Sequence, residues 1–164
     1  MKIAGVILAG GLARRMGGGD KALLRLGRET LLARVIARLR PQVGEMVLNA
    51  NGDPTRFAEF GLPVVADTVG GFAGPLAGIL EGMRWAAAKG YTHVASAAGD
   101  TPFFPADLVA RLSQAVQSSG QPISLAALDE FLNNEFQHLD PTRSFRIDGH
   151  IGLAHTAGNI NRQH

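Results

Sequence analysis

What most constrains this chain is how it begins. Residues 3–8, IAGVIL, are an unbroken apolar run that ends at Gly10-Gly11 and opens into a glycine-rich, basic stretch reaching Leu24. An uninterrupted apolar run of this length is how a strand covered on both faces reads, so it demands a sheet with a layer packed on each side. The stretch that follows, with Gly17, Gly18 and Gly19 among Arg14, Arg15 and Lys21, offers backbone N–H groups and positive charge. That combination suits a phosphate chain, and it predicts a nucleoside triphosphate ligand. A signal-peptide reading fits less well, because only Lys2 precedes the run and Arg14-Arg15 soon follows it.

The rest of the chain alternates. A helix is predicted over residues 30–40, where Leu32, Val35, Ile36 and Leu39 share a face, Thr30 serves as N-cap and Pro41 stops the pattern. A strand at 46–48 leads into the polar turn Asn49-Ala50-Asn51-Gly52, a short helix over 54–59 follows, and a strand at 62–66 ends at Asp67. After a glycine-rich loop at 68–74, Pro75 opens a helix that runs through Ala87 and stops at Lys89-Gly90. A strand at 93–97 ends in Gly99-Asp100-Thr101-Pro102, a helix is expected over 105–116 and a fifth strand at 123–127. Strands and helices alternating at this spacing predict an α/β, Rossmann-like three-layer fold with a mostly parallel sheet. Asn49, Asp67 and Asp100 each stand just past the carboxyl end of a predicted strand. In open α/β sheets that edge binds the ligand, so the nucleotide site is expected there.

Composition narrows the chemistry. The 164 residues fit a single domain. Sixteen basic residues face 14 acidic ones, and the net charge of +2 gives no reason to expect nucleic-acid binding. The absence of cysteine excludes disulfides and thiolate zinc sites, fits a reducing, cytoplasmic compartment, and leaves carboxylate, imidazole or phosphate oxygen to hold any metal. No apolar run is long enough to span a membrane.

The loop fails the Walker A pattern, because Asp20 precedes Lys21 and Ala22 follows it. Gly17 to Ala22 fits G-x-G-x-x-A formally, but lies well beyond the strand end rather than in the tight turn a dinucleotide fold requires. The fuller pattern is more specific: Leu8-Ala9-Gly10-Gly11, then Arg15-Met16-Gly17-Gly18, then Asp20-Lys21, continued by Asn49-Ala50-Asn51, Asp67, Gly74-Pro75-Leu76-Ala77-Gly78 and Asp100-Thr101-Pro102. Over about three quarters of the chain it resembles the nucleotidyltransferase family, in particular the molybdenum cofactor guanylyltransferases. The resemblance implies transfer of GMP from GTP to the terminal phosphate of molybdopterin with release of pyrophosphate. It also implies that Leu8, Ala9 and Gly10 meet the guanine nucleotide, Lys21 its phosphates, and Asn49 and Asp67 the nucleoside side. Asp100 would hold Mg²⁺ as well as touch the nucleotide.

Elementary chemistry fits these roles. Gly10 and Gly11, with the later glycines, let backbone approach phosphates. Arg15 and Lys21 can neutralise charge developing on the α-phosphate and the leaving pyrophosphate. Magnesium needs only one or two carboxylates beside phosphate oxygens, so Asp100 suffices as anchor, and an acceptor that is already a phosphate needs no strong base. The bland alternatives are a simple Gly-Gly turn, a solvated Lys21, and Asp67 and Asp100 as turn or capping residues. Asn49 and Asn51 are both candidate contacts. Gly78 and Gly82 are expected to allow close packing of their helix, and Met83 and Trp85 to serve the core.

From residue 128 the character changes. Residues 128–164 hold four of the five histidines without a metal-ligand spacing, predict no clear strand followed by a helix, and allow at most a brief helix near 129–136. The His-Pro-Val and Asn-x-Asn-Thr-Pro segments of the resembled family, associated there with the pterin, are missing apart from an echo in Asn159-Ile160-Asn161. The expectation is a single nucleotidyltransferase domain over 1–164 with an atypical segment at 128–164, truncated or altered by a shifted reading frame. Nucleotide binding is thus better supported than acceptor binding. Rival readings are a cytidylyltransferase on the same cofactor, a sugar-phosphate nucleotidyltransferase, whose chain is usually longer, and a non-catalytic nucleotide-binding domain that delivers cofactor. The guanylyl form of Leu8-Ala9-Gly10-Gly11 favours GTP, and molybdoenzymes or cofactor-handling proteins are the expected transient partners.

Overall fold

A computed structural model describes residues 1–10, 20–68, 74–127 and 150–155. The strand β1 (Ile3–Leu8) lies inside a six-stranded sheet. Its parallel neighbours are β4 (Met46–Asn49) on one side and β6 (His93–Ala98) on the other, and β5 (Val64–Val65) pairs in parallel with β4. Ala4, Val6 and Ile7 are fully buried, as an apolar run between two layers must be.

The two layers follow from the pleat. Ile7, Leu48, Ala95 and Ala97 join a core with Leu32, Val35, Ile36 and Leu39 of α1 (Leu31–Leu39) and Leu108, Val109, Leu112 and Val116 of α3 (Leu108–Ser119). Ala4, Val6, Val47 and Val94 face the other way, onto Ala86, Met83 and Trp85 of α2 (Gly74–Ala88). The predicted three-layer α/β fold with its mostly parallel sheet is what the chain forms. Each large aliphatic side chain buried this way contributes about 1.5–3 kcal/mol.

Local signals account for most boundaries. Thr30 caps α1, its Oγ1 accepting the Ala33 N–H at 3.1 Å. The stop after α2 is Gly90 at φ +77°. Gly82 lets α2 lie on β1, since a Cβ there would stand 2.5 Å from both methyls of Val6. The helix expected over 105–116 begins and ends three residues later. Its start is set from another segment, with Gln42 Oε1 accepting the Val109 N–H at 3.0 Å, and its end by Gly120 in the left-handed region. The helix expected at 54–59 is a 3-10 turn over Pro54–Phe60, and the strand expected at 62–66 shrinks to the two residues of β5.

Two features are not predicted by the sequence pattern. A small hairpin, β2 (Arg25–Leu26) and β3 (Glu29–Thr30), turns at Gly27 with φ +70°. The more consequential one is β8 (His150–His155), which inserts antiparallel between β6 and β7 (Ile123–Ala127), in the region where the sequence shows no clear strand followed by a helix. The sequence HIGLAH has little strand propensity, and pairing on both sides supplies what propensity does not. The brief helix allowed near 129–136 lies outside the described residues. Among the described residues no helix is long and apolar enough to cross a membrane.

Candidate nucleotide site

The strand order β5-β4-β1-β6 fixes where a ligand belongs. From β1 the chain moves outward to β4 and β5, then returns across β1 to place β6 on its far side. The crevice beyond the carboxyl ends of β1 and β6 is therefore a topological switch point, where ligands bind in doubly wound sheets. Register aligns the ends: Leu8 pairs with Asn49 and Ala98, and Asn49 with Val65.

The floor of this edge is continuous backbone. Ala9 N–H donates to Asn49 O at 2.9 Å, Gly99 N–H to Leu8 O at 3.0 Å, and Ala50 N–H to Val65 O at 3.0 Å. Gly10 leaves β1 so close to the next turn that a Cβ would stand 3.0 Å from Ala50 Cα. Leu8, Ala9 and Gly10 are thus placed by the sheet itself. Gly11 and Arg15 lie outside the described residues.

Polar side chains gather on the β4–β5 side. Asn49 Nδ2 donates to Asp67 Oδ1 at 2.8 Å, Asn51 Nδ2 donates to Asp67 Oδ2 at 2.8 Å, and Asn51 Oδ1 accepts the Asp67 N–H at 2.8 Å. An ionised carboxylate only accepts, which fixes both amide orientations. Asn49 is buried and Asn51 exposed, and both hold Asp67. From α2, Gly78 closes the arrangement, because a Cβ there would collide with the Asn49 side-chain carbonyl oxygen. Close packing is the expectation for Gly78; its target, a polar side chain of the site edge, is new.

Asp100 sits differently. In its turn the buried Thr101 does the structural bonding, donating from Oγ1 and from its N–H to Ala98 O at 3.0 and 3.3 Å. Asp100 is exposed, and no described residue bonds its carboxylate. A lone exposed carboxylate at the switch point is a hard oxygen donor of the kind Mg²⁺ takes together with phosphate oxygens and water. Among the described residues no group of three or more His, Cys, Asp or Glu could hold a metal ion.

Lys21 is exposed at the start of a 3-10 turn, Lys21–Leu23, whose Ala22 is buried and packs against Gly99. The turn therefore starts beside the β1–β6 ends, where Ala22 meets Gly99. The structure so gathers Leu8, Ala9, Gly10, Lys21, Asn49, Asp67 and Asp100 along one edge.

Several contributors escape the sequence reading. Thr68, next to Asp67, donates from Oγ1 to Glu81 Oε1, and Arg84 Nη1 donates to the same oxygen at 2.6 Å, so the buried Glu81 carboxylate is paired. Arg56 donates from Nη2 to Asn51 O at 2.7 Å. Asp53, just past the Asn51 turn, accepts the Thr55 hydroxyl at 2.7 Å and the Thr55 N–H at 2.9 Å. Those two bonds, with the Arg56 charge, hold its pKa below the ordinary 3.8. Sequence separation hides the Thr68–Glu81 bond, whereas Asp53 before Pro54 and Thr55 is a readable cap.

The profile of the MobA-like NTP transferase domain matches residues 5–139. The molybdenum cofactor guanylyltransferase of Mesorhizobium japonicum is 56% identical over 126 residues, which are 76% of this chain and 61% of that protein. The chain thus spans about three fifths of the length of this curated relative. Among solved structures, the molybdopterin-guanine dinucleotide biosynthesis protein A of Archaeoglobus fulgidus superposes with a TM-score of 0.51 at 24% identity, covering 75% of this chain and 59% of its own. A CMP:2-keto-3-deoxy-manno-octonic acid synthetase complexed with CTP superposes with a TM-score of 0.62 at 15% identity, covering 95% and 75%. These two likenesses concern the fold.

Proposed function

The chain belongs to the MobA-like NTP transferase family, and from that membership we propose that it transfers GMP from GTP to the terminal phosphate of molybdenum cofactor (molybdopterin). The observation that carries this reading is the alignment of Gly10, Asn49, Asp67 and Asp100 along the carboxyl edge around the β1–β6 switch point. The high identity to a guanylyltransferase supports GTP as the donor.

In the proposed reaction a terminal phosphate oxygen of the acceptor attacks the α-phosphorus of GTP. A new P–O bond forms, the bond between the α-phosphorus and the bridging oxygen breaks, and pyrophosphate leaves with the electron pair. Backbone of Leu8, Ala9, Gly10 and Gly11 meets the nucleotide, while Arg15 and Lys21 neutralise the phosphates and the departing pyrophosphate. Asp67, oriented by Asn49 and Asn51, has lone pairs left for a nucleoside donor group. Asp100 would hold Mg²⁺, which when bound supplies charge neutralisation on phosphate oxygens. In this reading residues 1–164 act as one nucleotidyltransferase domain of the cytoplasm, residues 128–164 being its atypical part, with molybdoenzymes or cofactor-handling proteins as transient partners.

Pyrophosphate release in the presence of molybdenum cofactor, Mg²⁺ and either GTP or CTP tests the reading. Release with GTP and not CTP is expected. A clear preference for CTP overturns the choice of nucleotide, and GTP binding without turnover replaces transfer by cofactor delivery.

A further inference from the structure

We infer that Arg56 is a positioning residue that holds Lys21 at the nucleotide edge through Asp20, an inference that rests on the reading of Lys21 as a phosphate ligand. Arg56 lies in the 3-10 turn Pro54–Phe60, and its guanidinium meets three separate groups. Nη2 donates to Asn51 O at 2.7 Å, Nε stands 2.9 Å from Asp20 Oδ2, and the cation lies 4.8 Å from the centre of the ring of Phe57, which is fully buried. The Nε–H is not aligned for a hydrogen bond among the described residues, so charge rather than directional bonding links Arg56 to Asp20. The Asp20 and Arg56 side chains are 18% and 32% exposed, so water screens this pair less than an open surface pair.

Asp20 is where the pair acts on the site. Its carbonyl accepts the Leu23 N–H at 3.0 Å, which begins the turn that carries Lys21, and its carboxylate is the anchor that Arg56 holds. Asn51 completes the link, since its carbonyl receives Arg56 while its side chain clamps Asp67. One guanidinium therefore ties the Lys21 turn to the clamp on the far side of β1. A forked cation can engage a carbonyl and a carboxylate from different directions at once, which a lysine ammonium does less well. A purely local role in the 54–60 turn would change stability without selecting for phosphates.

The test is a double-mutant cycle read by calorimetric titration of the folded full chain with GTP plus Mg²⁺ and, separately, with guanosine. Arg56→Ala and Lys21→Ala should each weaken GTP binding by about tenfold, the scale of one charge-assisted contact, with guanosine binding unchanged in Lys21→Ala and weakened clearly less than GTP binding in Arg56→Ala, which also frees Asn51. The double variant should bind GTP no worse than Lys21→Ala alone, and Arg56→Lys should fall between Arg56→Ala and the parent. Additive losses, equal losses for GTP and guanosine, or an Arg56→Ala variant that binds GTP like the parent overturn the inference alone. A parent chain that binds no GTP overturns the proposed function and this inference with it.

Discussion

Asp67 and Asp100 stand on the same edge of one sheet, each just beyond a parallel strand, yet they are held in opposite ways. Asp67 receives an N–H on each carboxylate oxygen, and its own N–H is bound by Asn51. Asp100 rides on a turn whose bonding is done by Thr101, and its carboxylate is exposed with no described partner. A carboxylate held by one N–H on each oxygen is fixed in direction, and its remaining lone pairs suit orienting a neutral donor group. One that keeps its lone pairs and is exposed beyond β6 suits a hard cation. Residue type at a strand end does not separate these two roles; the neighbouring side chains do.

Exchanging each aspartate in turn tests that division most sharply. Asp100→Ala should reduce Mg²⁺-dependent transfer by roughly 10³-fold, as loss of charge stabilisation at phosphate does, and leave the melting temperature nearly unchanged. Asp67→Ala should instead cost stability, about 1–3 kcal/mol, because the buried Asn49 amide loses the closer of its two acceptors and keeps only the Val65 carbonyl. Near-normal turnover in Asp100→Ala, or an unchanged urea midpoint in Asp67→Ala, would break the contrast.

Gly78→Ala addresses how the Asp67 side is held. The added methyl meets the Asn49 side chain, so a loss of about 1–3 kcal/mol in urea unfolding is expected, together with weaker nucleotide binding. A stability loss without any change in binding would show that the Asn49–Asp67 pair can shift and still serve.

The smallest effect concerns acid. The Thr55 hydroxyl and N–H hold the Asp53 carboxyl below its ordinary 3.8, so the stability it contributes is present above that pH and lost as pH falls below it. Asp53→Asn should remove this part of the acid dependence of unfolding, and a proton titration by NMR should place the Asp53 midpoint below 3.8. Because Asp53 is exposed, neutral-pH stability should hardly move.

Legibility in the sequence follows distance along the chain. The burial of β1, the Thr30 cap and the stop at Gly90 are written in a few adjacent residues, and so are the strand ends that put Asn49, Asp67 and Asp100 on one edge. Gly78 and Gly82 are legible as close-packing positions, because a glycine inside a helix needs a reason. What they pack against is not, since Val6 and Asn49 arrive from other segments. The same holds for Gln42 at the start of α3, for Arg56 against Asp20, and for β8 between β6 and β7. In each case the partner is chosen by tertiary packing, which periodicity and capping rules do not see.

The insertion of β8 also orders assembly in time. β7 precedes β8 in the chain but lies outside it, so until β8 arrives β7 has no strand beside it and the outer side of β6 is an open edge. Such a long-range pairing closes slowly and leaves a template for unwanted association while it waits. The four parallel strands of the candidate site edge pair with one another through β5–β4, β4–β1 and β1–β6, so that ladder can form before β8 docks on the other side of β6. In a refolding experiment, GTP recognition should thus be recovered ahead of the last phase of sheet formation.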